Sequence, residues 1–207
     1  MVMMKEFGTR VATVWDGLRP VTKKLIVGAL ANGNVAAPST QTRKFFYDAH
    51  ADWEVSRLLT ALDEQSKTPA IRKDASKRTE IEQLANTCVR VLEDQTASAE
   101  VFIQLAERAL KDNDYARLDK LSDRLVERFS SGEIAEIVRQ TETPQIRAIA
   151  YETLAMLPIP VILPLLDDPL YSGIAAAALE QKAYEFDSEE ARDILDQFDA
   201  ENEIIES

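Results

Sequence analysis

The sequence has 207 residues, of which 45% are hydrophobic, so the chain is long enough to bury a core and disorder throughout is excluded. Its formal net charge of -12 is unevenly placed: residues 1–50 carry seven Lys and Arg against three Asp and Glu, whereas residues 167–207 carry two against thirteen. This balance argues against a domain that binds nucleic-acid phosphates, because such proteins gather Lys and Arg on the contacting face. Residues 187–206 at the acidic end are interpreted as a solvated helix face and tail, with a docking site for a basic partner as the alternative.

The first predicted element is an amphipathic helix over residues 2–18, where apolar side chains recur at intervals of three and four. Pro20 interrupts this pattern, and a second short helix is predicted to end near Asn32. The surface that this segment could offer to a partner or a membrane combines apolar side chains with two lysines. Its residues are Met4, Phe7, Val11, Trp15, Leu18, Lys23 and Lys24.

Three interpretations of residues 2–31 stay open. The segment could pack on the rest of the chain as an end cap, lie on a membrane surface as a basic amphipathic helix, or dock on another protein. A full membrane span is excluded, because the uncharged stretch that begins at Leu25 contains Asn, Gly and Pro residues from Asn32 onward.

A polar stretch with Pro38 and a Ser-Thr-Gln-Thr run predicts a linker at residues 38–44. This linker separates an N-terminal helical segment, residues 1–37, from a helical domain at 45–199, and residues 200–207 are predicted to be a frayed acidic tail.

Apolar periodicity and capping residues predict a series of helices after the linker. They occupy about residues 45–66, 71–94, 98–111, 115–129, 132–141, 144–157, 160–167, 169–185 and 188–199. The first of these places Trp53 on its apolar side. Since no segment alternates with the period of a strand, the predicted fold is all-α, and the short connections of the last third are typical of antiparallel helix pairs.

Two alanine-rich stretches resemble HEAT repeats. Residues 144–154 have a proline near the start, then Ile-Arg, spaced alanines and a leucine, as in the second helix of such a repeat, and residues 165–179 are similar to the next inter-helix turn and second helix. The residues that carry the pattern are Pro144, Ile146, Arg147, Ala150, Leu154, Pro169, Ala178 and Leu179. The resemblance, which extends to a group of bacterial HEAT-like proteins, implies a right-handed stack of antiparallel helix pairs, an α-solenoid that presents surfaces to partners. Ile174 departs from it, because the family usually has arginine near that position.

Arg147 carries a testable structural expectation. It lies in the first turn of the predicted helix, where the helix dipole disfavours a positive charge. We therefore expect a carboxylate on a neighbouring helix to pair with it.

Few residues suggest chemistry. Asp48 and Asp52 share a helix face but the lone histidine, His50, points away from them, so solvated helix surface is favoured over a metal site. Cys88 falls in an apolar stripe and is predicted to be a buried packing residue, and as the single cysteine it favours a reducing cytoplasm, as does the lack of a convincing secretory signal. No catalytic, metal or cofactor residues are therefore assigned, and no cofactor is expected.

The preferred functional hypothesis is a non-enzymatic adaptor or regulatory scaffold that binds a protein through its last third and its acidic end. A first alternative is a peripheral membrane factor anchored by residues 2–31. A second is a helical-repeat enzyme that acts on a nucleobase or a pigment, which would need a pocket joining Trp53 or Tyr151 to a carboxylate.

Overall fold

The structure is a computed structural model that describes residues 4–31 and 47–205, except for the side chains of Asp199 and of residues beyond Ala200. Within these residues every regular element is a helix, which confirms the all-α prediction. The chain divides into two compact units, Met1–Thr96 and Ala97–Ser207. The predicted linker at 38–44 lies outside the described residues, and helices on both sides of it belong to the first unit. No helix in the described part of the chain is both long and apolar enough to cross a membrane.

Within residues 4–31 and 47–96, the first unit contains a 3-10 helix and five α-helices. Its elements are the 3-10 helix Met4–Phe7, α1 (Thr9–Gly17), α2 (Pro20–Ala31), α3 (Ala49–Ser66), α4 (Pro69–Arg72) and α5 (Ala75–Gln95). The helix α3 packs along α5, while α1 lies against α3 and α2 against α5. Leu58, Leu62 and Leu84 are buried at these contacts, as the spacing of three and four residues between apolar positions requires.

The second unit contains seven α-helices and a 3-10 helix in its described part. They are α6 (Ala99–Lys111), α7 (Tyr115–Arg128), α8 (Ser131–Gln140), α9 (Pro144–Met156), α10 (Ile159–Ile162), the 3-10 helix Leu163–Leu165, α11 (Ser172–Glu185) and α12 (Glu189–Ile205). The Asp114 side chain caps α7 by accepting a hydrogen bond from the Arg117 N–H at 3.1 Å. Phe102 and Phe129 meet edge to face in the core, with ring centroids 5.8 Å apart.

Two predicted helices of the first unit are each divided in the structure. Residues 2–18 break at Gly8, whose φ of 105° lies in the left-handed region and whose Cα faces the side chain of Gln65. Residues 71–94 break at Asp74, which adopts an extended conformation and caps α5 through the N–H of Lys77 at 3.1 Å. In both places the local backbone preference of one residue overrides the helical periodicity around it.

The two last predicted helices also differ from the observed ones. The predicted helix at 169–185 begins only at Ser172, because the Asp168 side chain accepts a hydrogen bond from the N–H of Leu170 at 2.9 Å and closes a separate turn that contains Pro169. At the other end, α12 continues to Ile205 through the predicted tail. The sequence from Glu189 to Ile205 contains no Gly or Pro that would end a helix.

Candidate binding groove

A groove of about 540 Å³ lies between α9 and α11 of the second unit and is open to solvent. Its lining residues are Ala148, Tyr151, Ala177, Glu180, Gln181, Tyr184 and Glu185. The groove therefore brings together the rings of two tyrosines and the carboxylates of two glutamates.

Helical spacing explains why these residues share one groove. Ala148 and Tyr151 stand three residues apart on α9, and Ala177, Glu180 and Tyr184 follow one another at intervals of three and four on α11. Residues at such intervals lie on the same helix face. Because alanine side chains at 148 and 177 are small, the tyrosines and the carboxylates stand out around a concave surface.

The two helices that line the groove, α9 and α11, pack against each other. Ala150 of α9 and Ala178 of α11 are fully buried, and Leu154 and Leu179 are fully buried beside them. Small residues at facing positions let helix axes approach, while leucines fill the remaining space. Ile146 is also fully buried, so five of the residues in the predicted repeat pattern are packing residues.

Lys182 fixes the end of this helix pair. Its ammonium group donates hydrogen bonds to the carbonyl oxygens of Ala155 at 2.9 Å and Leu157 at 3.0 Å. These carbonyls lie at the C-terminal end of α9, where they have no partner within the helix and carry partial negative charge. A lysine from α11 therefore ties the two walls together at one end of the groove.

A hydrogen-bonded cluster holds the start of α11 against α8. The Tyr171 hydroxyl donates to Glu136 at 2.9 Å, and the Arg139 guanidinium donates to both carboxylate oxygens of Glu136 at 2.6 and 2.5 Å. Hydrogen bonds from Arg139, together with those from Gln140 and Tyr171, lower the pKa of Glu136 to about 2. The carboxylate is therefore ionised at neutral pH, the form that accepts these hydrogen bonds.

The open side of the groove is suited to a cation. The side chain of Tyr184 is 81% exposed, and Glu180 and Glu185 are also exposed. The Gln181 amide donates a hydrogen bond to the Glu185 carboxylate at 2.9 Å, which orients that carboxylate along the wall. An aromatic face beside a carboxylate attracts a positive group through both the ring quadrupole and the full charge.

Among the residues that the structure describes, no carboxylate pairs with Arg147 as expected. Its guanidinium donates a hydrogen bond to the backbone carbonyl of Thr141 at 2.6 Å, at the end of α8. The unpaired carbonyl at a helix C-terminus carries partial negative charge and takes the place of a carboxylate. Pro144 begins α9 as predicted, whereas Pro169 lies in the turn before α11.

The apolar residues proposed as an N-terminal contact surface are mostly inside the first unit. Met4, Phe7, Val11 and Leu18 are buried. Trp15 and Lys23 are partly exposed and Lys24 is exposed, so these three residues remain on the surface. In this conformation the segment is part of the core of its unit, and a membrane or partner contact through it stays a prediction.

A buried ion pair, which the sequence did not predict, holds this segment in place. Glu54 on α3 is 2% exposed and accepts hydrogen bonds from the backbone N–H of Arg19 at 2.6 Å, from its Nε at 3.0 Å and from the hydroxyl of Thr22. Burial alone would raise the pKa of Glu54, but these hydrogen bonds outweigh burial and hold it below its usual range. Arg19 also pairs with Asp48, the capping residue of α3, at 2.7 Å.

The residues considered for metal binding or catalysis do not form a common site among the described residues. Cys88 is buried as predicted, and His50 is exposed, with its Nε2 3.9 Å from Glu54. Asp52 differs from the expected solvated surface, because it is buried and accepts hydrogen bonds from Tyr47 and Thr96. No group of three or more metal-binding side chains occurs among residues 4–31 and 47–205.

The two aromatic residues named for an enzyme pocket differ in their surroundings. Trp53 is 49% exposed, and the guanidinium of Arg57 lies 4.5 Å from the centroid of its ring, so it is a surface residue rather than part of the predicted apolar side. Tyr151 does line a concave surface with Glu180 and Glu185. Comparisons with family models, curated proteins and solved structures found no match to the chain.

Proposed function

We propose that the chain is a non-enzymatic interaction module, an adaptor or regulatory scaffold, that holds a protein partner in the groove between α9 and α11. The observation that carries this proposal is the exposure of Tyr184 beside a concave surface. Large aromatic side chains that are exposed next to a pocket are typical anchors of protein contacts.

The packing order of the second unit supports a HEAT-like stack as the scaffold of this module. The helix α6 packs against α7 and α8, α7 against α9, and α9 against α8 and α11, so each helix contacts a chain neighbour and a helix further along. Consecutive helical hairpins that pack side by side have this order. We include the right-handed solenoid arrangement and a cytoplasmic location in the proposal.

The proposal is tested by photo-crosslinking from the groove. Tyr184→p-benzoylphenylalanine places the crosslinker in the groove, and the same change at Tyr115, which is 61% exposed on α7, provides a matched control. The proposal predicts a discrete protein adduct from position 184 in cell extract and none from position 115.

A charge control ties the adduct to the groove. In the crosslinker background, Glu180→Lys with Glu185→Lys should abolish the adduct, whereas Asp123→Lys with Glu127→Lys on the exposed side of α7 changes the net charge equally and should leave it. An adduct that survives the first pair, or one that forms equally from position 115, contradicts the proposal.

A further inference from the structure

We propose that the groove between α9 and α11 selects an arginine side chain on a basic segment of the partner protein. The inference rests on the proposed function, since it names the chemistry of what that function binds. Three features of the groove carry it: its carboxylates, its tyrosine rings and its open shape.

The negative charge of the groove favours a positively charged ligand. Glu180 and Glu185 line it, and the C-terminal 41 residues that contain them carry thirteen acidic against two basic side chains. Both basic side chains are engaged elsewhere, Lys182 with carbonyls of α9 and Arg192 with Asp187 and the carbonyl of Ala183. A positively charged segment is therefore attracted to the two carboxylates of the groove, and the surplus of negative charge in this part of the sequence speeds its approach.

The tyrosines favour arginine over lysine. A guanidinium is planar, so it can stack on the ring of Tyr151 or Tyr184 while its N–H groups point sideways to a carboxylate. A lysine ammonium is compact and strongly hydrated, and it cannot make both contacts in one plane. Glu185, held by Gln181 at 2.9 Å, supplies an oriented carboxylate for the two parallel hydrogen bonds that arginine prefers.

The size and openness of the groove favour an extended segment. Its volume of about 540 Å³ is in the range of pockets that hold a few side chains. Since Ala148 and Ala177 in the lining are small and the groove is open to solvent, a peptide could lie across it and place one arginine side chain beside the tyrosine rings.

The test is a titration of three fluorescent peptides of equal length, which carry arginine, lysine or glutamine at the same positions, into the full chain. Tight binding of the arginine peptide and no binding of the glutamine peptide are expected. Because one exposed cation–π contact contributes about 0.5–1 kcal/mol, stacking of arginine on both rings should make the arginine peptide bind on the order of fivefold to thirtyfold more tightly than a lysine peptide that makes neither contact.

Variants assign the difference to the groove. Tyr184→Leu keeps an apolar side chain but removes a ring, and it should reduce the preference for arginine by on the order of threefold. The pair Glu180→Lys and Glu185→Lys should weaken both basic peptides by at least about tenfold, and the α7 control pair, Asp123→Lys and Glu127→Lys, should have less than about a twofold effect at moderate salt. Circular dichroism confirms that each variant is folded.

Two results overturn the inference. Equal affinity for the arginine and lysine peptides shows that the groove reads charge alone, and an equal loss in the groove and control pairs shows that the peptide binds the acidic surface in general. If the crosslinked adduct at position 184 still forms while the peptides show no preference, the inference fails but the proposed interaction function stands.

Discussion

Replacing Glu54 with glutamine should destabilise the first unit, because this carboxylate is buried and accepts three hydrogen bonds. Its donors are the backbone N–H of Arg19, the Nε of Arg19 and the hydroxyl of Thr22. Glutamine has a similar shape but only one accepting oxygen, and its NH2 group would face a donor. At least one donor therefore loses its acceptor inside the unit.

The magnitude follows from burial. A hydrogen bond to a charged group contributes about 1.5–3 kcal/mol, and an unpaired buried partner adds a desolvation cost. Arg19 is one-third exposed and keeps its contact with Asp48, so water and Asp48 recover part of the loss. We expect Glu54→Gln to lower the free energy of unfolding of the first unit by roughly 2–3 kcal/mol.

A second ion pair in the same unit is the matched control. Arg10 of α1 contacts Glu64 of α3 at 2.6 Å, and these side chains are 64% and 42% exposed. Because exposed ion pairs contribute little, Glu64→Gln should cost no more than about 0.5 kcal/mol. Both carboxylates lie on α3 and pair with an arginine of the N-terminal segment, so the comparison contrasts a buried, fully hydrogen-bonded carboxylate with an exposed one.

Urea unfolding followed by tryptophan fluorescence measures this unit selectively, since both tryptophans of the chain, Trp15 and Trp53, belong to it. At an m-value of about 1.5 kcal/mol/M, Glu54→Gln should lower the unfolding midpoint by roughly 1.3–2 M. If Glu54→Gln and Glu64→Gln shift the midpoint equally, the reasoning from burial is refuted.

Three further changes test the account. The pKa of Glu54 is lower in the folded than in the unfolded state, so the ionised carboxylate stabilises the fold above its ordinary pKa of about 4.5, and this contribution is lost as the pH falls toward the folded-state pKa. The free energy of unfolding, followed by fluorescence, should therefore fall less steeply between about pH 6 and pH 3 in Glu54→Gln than in the unchanged protein. Equal slopes in the two proteins would contradict this. Lys182→Met should lower the free energy of unfolding by about 1–2 kcal/mol and speed amide hydrogen exchange at the end of α9. Unchanged exchange there would show that the Lys182 hydrogen bonds do not hold the end of α9. Gly8→Ala should cost about 1–2 kcal/mol, because its φ is 105°. Gly8→Ala should destabilise the protein equally in a Gln65→Ala background, where the side chain that an added Cβ would meet is removed. If Gly8→Ala has no effect in that background, the steric contact and not the backbone conformation is responsible.

The sequence predicts helices well where periodicity and capping agree. The helices α6 and α7 are predicted nearly to the residue, because apolar stripes end at turns marked by residues such as Asp114. The prediction from sequence is wrong at Gly8 and Asp74, where one residue with a non-helical backbone conformation interrupts a sequence that otherwise favours a helix. The prediction of a helix start at Pro169 is wrong for a related reason. An aspartate followed by a proline is typical of a helix start, but the Asp168 side chain closes a separate turn here.

The groove and the buried ion pair could not be predicted because they depend on distant residues. Tyr151 and Tyr184 belong to different helices, and only the packing of α9 against α11 places them on one surface. Glu54 lies in a helix whose pattern favoured Trp53 for burial, and its partner Arg19 is 35 residues away. Local patterns carry no information on such pairings, whereas the helical spacing of small residues did place Ala150 and Ala178 in helix packing, and both are fully buried.

The most direct test of the central claim is an NMR measurement of the complex between the full chain and the arginine peptide, with the tyrosine rings labelled. If the chain binds basic partners through the groove, the arginine side-chain protons should show nuclear Overhauser contacts to the rings of Tyr151 and Tyr184, and the ring of Tyr115 should show none. Contacts to Tyr115, or changes confined to α12 with both groove rings unaffected, would contradict the claim.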